Sequence, residues 1–126
     1  NNHIQCVFIN HLNEILQHCD YRNSKYILID EGQFFTNIQK TILQIVEKDN
    51  KHLIIAGLLT DFNRNKFGEL LDIVPFADSV DFKYSRCLHC DKKGVFSVKH
   101  SKSTKVLDVG SGDKYYPACR YHYLNR

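Results

Sequence analysis

Two short segments in the last third of the chain carry residue types that bind metal ions. The segment CLHC at residues 87–90 and the segment CRYH at residues 119–122 each place two donor side chains three positions apart. Two turns of this kind together close a tetrahedral site with three thiolates and one imidazole, a ligand set that suits Zn²⁺. Because four protein ligands leave no open coordination position, we predict a structural zinc site. Its ligands are Cys87, Cys90, Cys119 and His122.

Other interpretations of the cysteines stay open at this level. The CLHC segment is also compatible with a buried cysteine pair or with a redox CxxC motif. His89 can compete with His122 as the fourth ligand, although it lies between two cysteines, where such turns normally point side chains outward. Cys6 and Cys19 fall on apolar faces of their segments, so we predict that they are core residues and not ligands.

A pair of acids, Asp30 and Glu31, follows the apolar run Tyr26–Ile29. In parallel α/β sheets, ligands bind beyond the carboxyl ends of the strands. An aspartate at this place is the Walker B arrangement, whose carboxylate holds Mg²⁺ or its water shell near nucleotide phosphates, and a second acid beside it can act as a general base. A hydrophobic run that ends in aspartate is common, however, and the pair is also compatible with an acidic strand end that caps a neighbouring helix.

A Walker B aspartate requires a phosphate-binding loop, and the chain contains none. The glycines, at positions 32, 57, 68, 94, 110 and 112, do not build the pattern GxxxxGK[ST]. The chain also starts at Asn1 and has no methionine. We therefore expect a truncated or processed piece of a longer protein whose phosphate-binding loop precedes Asn1, and we expect this piece to be inactive by itself. Otherwise the protein has no nucleotide chemistry.

The elements that must position these residues alternate along the first part of the chain. Their order, β-α-β-α-β, implies a parallel sheet with right-handed crossovers. Tyr26–Ile29 is continuously apolar, as in a strand covered on both faces. Thr36 and Gln39 predict a capping box before the second helix. The predicted strands are 6–9, 26–29, 53–56 and, farther on, 95–98; the predicted helices are 11–19, 38–46 and 67–73.

Composition and charge limit which domain organisation and which binding partners the sequence predicts. We predict a partial α/β nucleotide-binding domain at 1–82 and a zinc-binding lobe at 83–126, where paired cysteines and polar loops replace the alternating strands and helices. The formal net charge of +3 is too small to indicate nucleic-acid binding without a clustered basic face. No apolar run approaches the length of a membrane span and no signal peptide opens the chain, so we expect a cytoplasmic protein.

Six segments between Tyr26 and Tyr123 occur in a characteristic order: DEGQFF, GLLTDFNRNKFG, PFADSV, CLHC, GSGDKYY and CRYHY. Together they resemble the type II thymidine kinases, the zinc-containing deoxynucleoside kinases of animals, bacteria and large DNA viruses, whereas residues 1–25 match poorly. The resemblance implies an α/β fold: a P-loop-type parallel sheet with flanking helices, plus a small C-terminal zinc-binding lobe with a lasso-like substrate loop. It also implies a nucleotide-salvage enzyme that transfers the γ-phosphate of ATP to the 5′-hydroxyl of thymidine or deoxyuridine and yields dTMP.

The resemblance assigns roles to single residues. Asp30 would be the Walker B acid near Mg²⁺, and Glu31 would be the base that takes the proton of the 5′-hydroxyl. Glu31, Gly32 and Gln33 would belong with Asp30 to the residues that bind the nucleotide and Mg²⁺, and Gln33 would lie by the phosphates and the sugar. The residues that would contact the nucleoside are Phe34, Leu58, Phe62, Phe67, Val106, Leu107, Asp108, Val109, Gly110 and Tyr115. The zinc would anchor both ends of the substrate loop, Mg²⁺ would arrive with ATP, and dTTP would be a feedback inhibitor. The protein would be a homotetramer that binds neither nucleic acid nor a membrane.

Two rival functions fit part of the sequence. A zinc-ribbon module that binds nucleic acid or protein without catalysis accounts for the metal motifs and the basic segment 99–105, but it leaves DEGQFF unexplained. A P-loop ATPase with an acidic Walker B motif would hydrolyse ATP without a nucleoside. Retention on thymidine-agarose, compared with retention on DNA, separates the zinc-ribbon module from the kinase.

Overall fold

The computed structural model describes residues 6–100 and 114–126. The described residues separate into two compact units. The first lies within Asn1–Leu59 and Phe67–Phe76, and the second within Thr60–Lys66 and Ala77–Arg126. The domain assignment made from the sequence, with its boundary after residue 82, stays a prediction.

The first unit contains two parallel strands, β1 (Tyr26–Ile29) and β2 (His52–Ile55). The parallel pairing between consecutive predicted strands is therefore confirmed. Ile27 and Ile29 are buried in the core, but the alternate residues Tyr26 and Leu28 are 60% and 70% exposed. The expectation that β1 is covered on both faces is wrong for the described residues. Strand side chains alternate between faces, and the core of this unit lies against one of them.

Helix α1 (Ile38–Leu43) continues into a π-helical turn at Gln44–Lys48 and connects the two strands. The apolar stripe predicted here is confirmed, because Ile38, Ile42 and Ile45 are all buried. The predicted capping box is wrong. The Glu69 carboxylate, distant in sequence, accepts hydrogen bonds from the backbone N–H groups of Asn37 (2.9 Å) and Ile38 (3.1 Å) and so caps the helix in its place.

The N-terminal segment differs from the prediction. Leu12–Gln17 forms a 3₁₀ helix, and the described residues of 6–9 are not in a strand. Leu12 is buried, and Ile15, three positions later, packs against the same core, a spacing that a three-residue turn accommodates. Cys6 and Cys19 are exposed, so their assignment to the core is wrong.

The last element of the first unit is α2 (Leu70–Ile73), followed by a 3₁₀ turn at Val74–Phe76. The helix begins later than predicted. Gly68 has a φ of +64°, in the left-handed region, which a right-handed helix does not contain. The chain therefore enters the helix only after this glycine.

The second unit is built from two antiparallel strand pairs and a short helix. Strand β3 (Ser85–Arg86) pairs with β4 (Lys93–Gly94), and β5 (Phe96–Lys99) pairs with β6 (Tyr115–Ala118). The predicted strand at 95–98 is thus confirmed, shifted by one residue. Helix α3 (Arg120–Leu124) follows β6 directly. The core of the unit consists of Val98, Ala118 and Tyr123, with Phe96 and Tyr116 packed against it.

Among the helices in the described part of the chain, none combines the length and the apolar character that crossing a bilayer requires.

Candidate metal centre and candidate active site

The two metal-binding motifs lie on adjacent backbone segments of the second unit. The tight turn that carries Cys87 and Cys90 joins β3 to β4, and the Cys87 N–H donates to the carbonyl of Lys92 at 2.9 Å. The Leu88 N–H donates to the Pro117 carbonyl at 2.9 Å, which ties this turn to the end of β6. The second motif begins at once after β6, with Cys119 immediately before α3 and His122 inside it.

The four predicted ligands converge on one point. Their donor atoms all lie within 4.8 Å of one another. His122 Nδ1 lies 3.4 Å from the sulfurs of Cys87 and Cys119, and the sulfurs of Cys90 and Cys119 are 3.8 Å apart. A tetrahedral zinc ion with ordinary bond lengths requires about 3.6 Å between nitrogen and sulfur and about 3.8 Å between sulfurs. The arrangement therefore fits a tetrahedral metal ion, which His122 would hold through Nδ1.

Hydrogen bonds around the sulfurs favour an ionised Cys87. Burial raises the pKa of the Cys87 thiol, but hydrogen bonds from the Cys119 backbone and the His122 side chain contribute to lowering it to about 6. For Cys90, a backbone hydrogen bond with Lys92 lowers the pKa, but burial and the neighbouring sulfurs outweigh it and raise the pKa. Sulfurs this close do not all carry charge unless a cation lies among them. The donor set thus fits a divalent ion.

His89, the competing ligand, does not belong to the cluster. Its ring lies beside that of His122, with 5.2 Å between the centroids, and meets the ring of Tyr116 edge-on at 5.3 Å. The structure therefore selects His122 between the two histidines.

The acidic pair lies at the carboxyl end of β1 in the first unit. Both side chains are exposed, and one Asp30 oxygen accepts a hydrogen bond from the Glu31 N–H at 2.9 Å. Glu31 has a φ of 55°, in the left-handed region. An l-residue rarely adopts this conformation outside constrained sites, so the backbone is held here by its surroundings.

Gln33 is the residue that holds this strand end together. It is only 3% exposed, and its Nε2 donates to Glu31 Oε2 at 2.5 Å. Its Oε1 accepts from the Leu58 N–H at 2.9 Å. The buried amide therefore links the exposed Glu31 carboxylate to the backbone that follows β2.

Three glycines allow the backbone to pack closely at this strand end, and two of them lie against Gln33. A Cβ on Gly57 would lie 2.5 Å from Gln33 Oε1, and one on Gly68 would lie 2.2 Å from the Gln33 carbonyl oxygen. The N–H of Gly32 already donates to the Ala56 carbonyl at 2.9 Å. Sequence reasoning gave no role to Gly57 or Gly68, although they begin and end the segment GLLTDFNRNKFG.

The aromatic residues predicted for the nucleoside lie in both units. In the first unit, Phe34 and Phe67 meet edge to face with 5.5 Å between ring centroids, and Leu58 is 51% exposed. In the second unit, Phe62 and Tyr115 have centroids 6.0 Å apart with planes inclined by 44°. Val106, Leu107, Asp108, Val109 and Gly110 lie outside the described residues.

Two residues near the second aromatic pair were missed. Lys99 is paired with Tyr115 across β5 and β6, and its Nζ lies 5.4 Å from the Phe62 ring centroid and 5.7 Å from that of Tyr115. Tyr123 donates a hydrogen bond from its hydroxyl to the Phe62 carbonyl at 2.8 Å. No periodicity joins residues 62 and 123, so sequence patterns carry no signal for this contact.

Similarity to known proteins extends over most of the chain. A family model described as thymidine kinase matches residues 2–123. The thymidine kinase of Oryza sativa subsp. japonica is 40% identical over 105 residues, which cover 83% of this chain and 39% of the rice protein. Thymidine kinase a of Arabidopsis thaliana is 38% identical over 104 residues, which cover 82% of this chain and 44% of the Arabidopsis protein. The cytosolic thymidine kinase of Cricetulus griseus is 33% identical over 98 residues, which cover 78% of this chain and 42% of the Cricetulus protein. The chain thus spans about two fifths of the length of these relatives.

Proposed function

Because the chain belongs to the thymidine kinase family, we propose that the whole protein transfers the γ-phosphate of ATP to the 5′-hydroxyl of thymidine or deoxyuridine. The observation that carries the proposal is the family match over residues 2–123, which includes the acidic strand end and both cysteine motifs. Named relatives in plants and in a mammal are thymidine kinases, and this supports the same salvage reaction here.

Glu31 is the residue that we assign to proton transfer. A general base needs a fixed direction and access to the proton that it takes. The hydrogen bond from Gln33 fixes one carboxylate oxygen, and the side chain remains exposed to an incoming substrate. In this proposal the free oxygen accepts the 5′-hydroxyl proton as the hydroxyl oxygen attacks the γ-phosphorus, and the bond from that phosphorus to the bridging oxygen breaks so that ADP leaves.

Asp30 is assigned to the metal-bound phosphates. Its hydrogen bond from the Glu31 N–H restricts the carboxylate to one orientation, and carboxylate oxygens suit Mg²⁺. Mg²⁺ bound with ATP would neutralise charge on the phosphates. Gly32 and Gln33 belong to the same nucleotide-facing end as positioning residues, because their buried hydrogen bonds hold the backbone beneath the two acids.

The nucleoside would be held by flat apolar side chains and a few polar groups, as small planar ligands generally are. In the first unit we assign Phe34, Phe67 and Leu58 to this role, and in the second unit Phe62 and Tyr115. The backbone of residues 106–110 is proposed to recognise the edge of the base. The exposure of Phe34 (50%) supports the assignment, since a large aromatic ring at the protein surface is available to a ligand.

Zinc is the ion that we propose for the Cys87, Cys90, Cys119 and His122 cluster. Three sulfurs and one imidazole nitrogen at tetrahedral spacing are typical of a structural zinc site. Bound there, zinc supplies rigidity and no open coordination position. Its proposed role is to hold the two ends of the substrate loop between β5 and β6.

The remaining partners follow from the family. We propose that ATP is the phosphate donor, that dTTP inhibits by feedback, and that the whole protein is a cytoplasmic homotetramer. One relative carries the name cytosolic thymidine kinase, which supports the location. The proposal includes no nucleic-acid partner and no membrane.

The test is an assay of the whole protein with Mg·ATP and thymidine. Formation of dTMP and thymidine-dependent release of ADP in equal amounts would support the proposal, as would retention on thymidine-agarose. Release of ADP that does not depend on a nucleoside would indicate an ATPase. Retention on DNA without phosphorylation of thymidine would indicate a zinc-ribbon module. Either of these two outcomes refutes the proposal.

A further inference from the structure

Residues Thr60–Lys66 form a tight hairpin within the second unit, and we refer to it as the 60–66 hairpin. Asp61 organises it, because Asp61 Oδ1 accepts from the N–H groups of Asn63 and Asn65, each at 2.8 Å. Arg64 adopts a left-handed φ of 66° at the tip. The hairpin thus has a defined internal shape, but its internal bonds do not determine where it lies on the rest of the unit.

Tyr123 supplies an attachment for the hairpin. Its hydroxyl donates to the Phe62 carbonyl at 2.8 Å, and its ring lies 5.0 Å from the Arg64 guanidinium carbon. Tyr123 is 3% exposed, and its ring packs against that of Phe96 with 4.9 Å between the ring centroids. A buried hydroxyl that donates a hydrogen bond to a backbone carbonyl restrains both partners, because losing the contact would leave polar groups unsatisfied.

The position of Tyr123 depends in turn on the metal centre. Tyr123 follows the ligand His122 directly, and its N–H donates to the carbonyl of the ligand Cys119 at 2.8 Å. Helix α3 has five residues, whereas isolated helices shorter than about 12–15 residues are marginal in water. Ligation by Cys119, immediately before this short helix, and by His122 inside it is therefore well placed to keep the helix, and Tyr123 with it, in place.

We propose that Tyr123 is a positioning residue that connects the metal centre to the nucleoside site. A metal ion held by Cys119 and His122 would order α3. The helix orients the Tyr123 hydroxyl, and the hydroxyl fixes the backbone of Phe62 so that its ring stays beside Tyr115. The role given to Phe62 and Tyr115 as nucleoside contacts rests on the proposed function, whereas the link between metal and hairpin does not. On this account a metal centre without substrate contacts of its own still affects the affinity for the nucleoside.

The variant that tests the link is Tyr123→Phe in the whole protein, because it removes only the hydroxyl and keeps the buried ring. Its matched control is Tyr121→Phe, which removes a hydroxyl from the same helix at a side chain that is 65% exposed. We expect Tyr123→Phe to raise the KM and Kd for thymidine about 3- to 10-fold, the loss of one neutral hydrogen bond. We expect kcat, the KM for ATP and the zinc content to stay unchanged.

Hydrogen–deuterium exchange provides a readout that does not depend on activity. The N–H groups of Asp61 and Arg64 are hydrogen-bonded inside the hairpin, so their exchange reports its order. In Tyr123→Phe we expect residues 60–66 to exchange about 3- to 10-fold faster while β5 and β6 keep their protection. Removal of zinc from the wild-type protein with a chelator should accelerate the same segment, whereas β1 and β2 of the first unit should not change.

The outcomes separate this inference from the proposed function. Unchanged exchange in the 60–66 hairpin, either in Tyr123→Phe or after removal of zinc, would overturn the link. An equal effect of Tyr121→Phe would overturn it as well, since the effect would then not depend on the contact with Phe62. If the wild-type protein binds no thymidine, the proposed function fails, and the exchange measurements alone decide whether the link exists.

Discussion

Replacement of Glu31 by glutamine tests the assignment of the general base most directly. The structure indicates that Glu31→Gln is a conservative change. The Gln33 Nε2 that donates to Glu31 Oε2 at 2.5 Å can donate to the amide oxygen of a glutamine in the same place. The left-handed backbone at this position need not change, because the two side chains have the same shape. The substitution therefore removes basicity and charge while the surrounding hydrogen bonds remain.

The expected loss lies in kcat. A positioned general base contributes roughly 10²–10⁴ in rate, which corresponds to about 2.7–5.4 kcal/mol in the activation free energy. The affinity for thymidine should stay within about threefold of the wild-type value, because we assign the binding of the thymine ring to aromatic and backbone contacts and not to Glu31. The free energy of unfolding should change by less than about 0.5 kcal/mol, as is usual for exposed side chains whose substitution breaks no specific structural feature.

The assay is steady-state formation of dTMP by the whole protein, together with thymidine binding by calorimetry. Glu47→Gln, the same substitution at an exposed acid of the first unit, is the control and should leave kcat unchanged. Asp30→Asn should instead raise the KM for Mg·ATP, since Asp30 is assigned to the metal-bound phosphates. If Glu31→Gln keeps more than about a tenth of the wild-type kcat, the assignment of Glu31 as the general base is wrong and Asp30 becomes the next residue to test.

Three further predictions concern structure and metal. Cys119→Ser should lower the zinc content, measured by metal analysis, from about one ion per chain to near zero and should weaken thymidine binding. The control Cys19→Ser changes an exposed cysteine outside the Cys87, Cys90, Cys119 and His122 cluster and should alter neither quantity. A Cys119→Ser protein with a full zinc content would contradict the ligand set. Glu69→Ala should lower the free energy of unfolding by about 0.5–2 kcal/mol in urea titrations, because it removes the cap of α1, and an unchanged midpoint would exclude that role. Gly57→Ala should reduce kcat and stability together, because its Cβ would lie 2.5 Å from Gln33 Oε1; a variant with wild-type kinetics would show that Gln33 can move without consequence.

Features that depend on nearby residues could be predicted from the sequence. The buried stripe of α1 follows from apolar periodicity, which is a local property, and the parallel pairing of β1 and β2 follows from the alternation of strands and helices along the chain. The four residues of the metal cluster follow from two motifs whose internal spacing presents two donors each. The choice between His122 and His89 was left open by the sequence, and the structure decides it because His122 and not His89 belongs to the cluster.

Features that depend on distant residues were missed or predicted wrongly. The cap of α1 comes from Glu69, and local pattern suggested Thr36 and Gln39 in its place. A continuous apolar run predicted two covered faces for β1, but burial is decided by what packs on the sheet and not by the strand itself. The 3₁₀ helix at Leu12–Gln17 shares its three-residue repeat of apolar side chains with an α-helix, so periodicity over so short a segment did not distinguish the two.

The chemical groups and the local motifs in which they lie can be read from the sequence: two acids after a strand, and three thiols and one imidazole in two turns. The contacts that hold those groups in place became visible in the folded chain. Gln33 bonds to Leu58, 25 residues away, and Tyr123 bonds to Phe62, 61 residues away. Hydrogen bonds act over about 3 Å and require direction, so such pairs form only where packing brings distant backbone segments together, and no local pattern records that proximity.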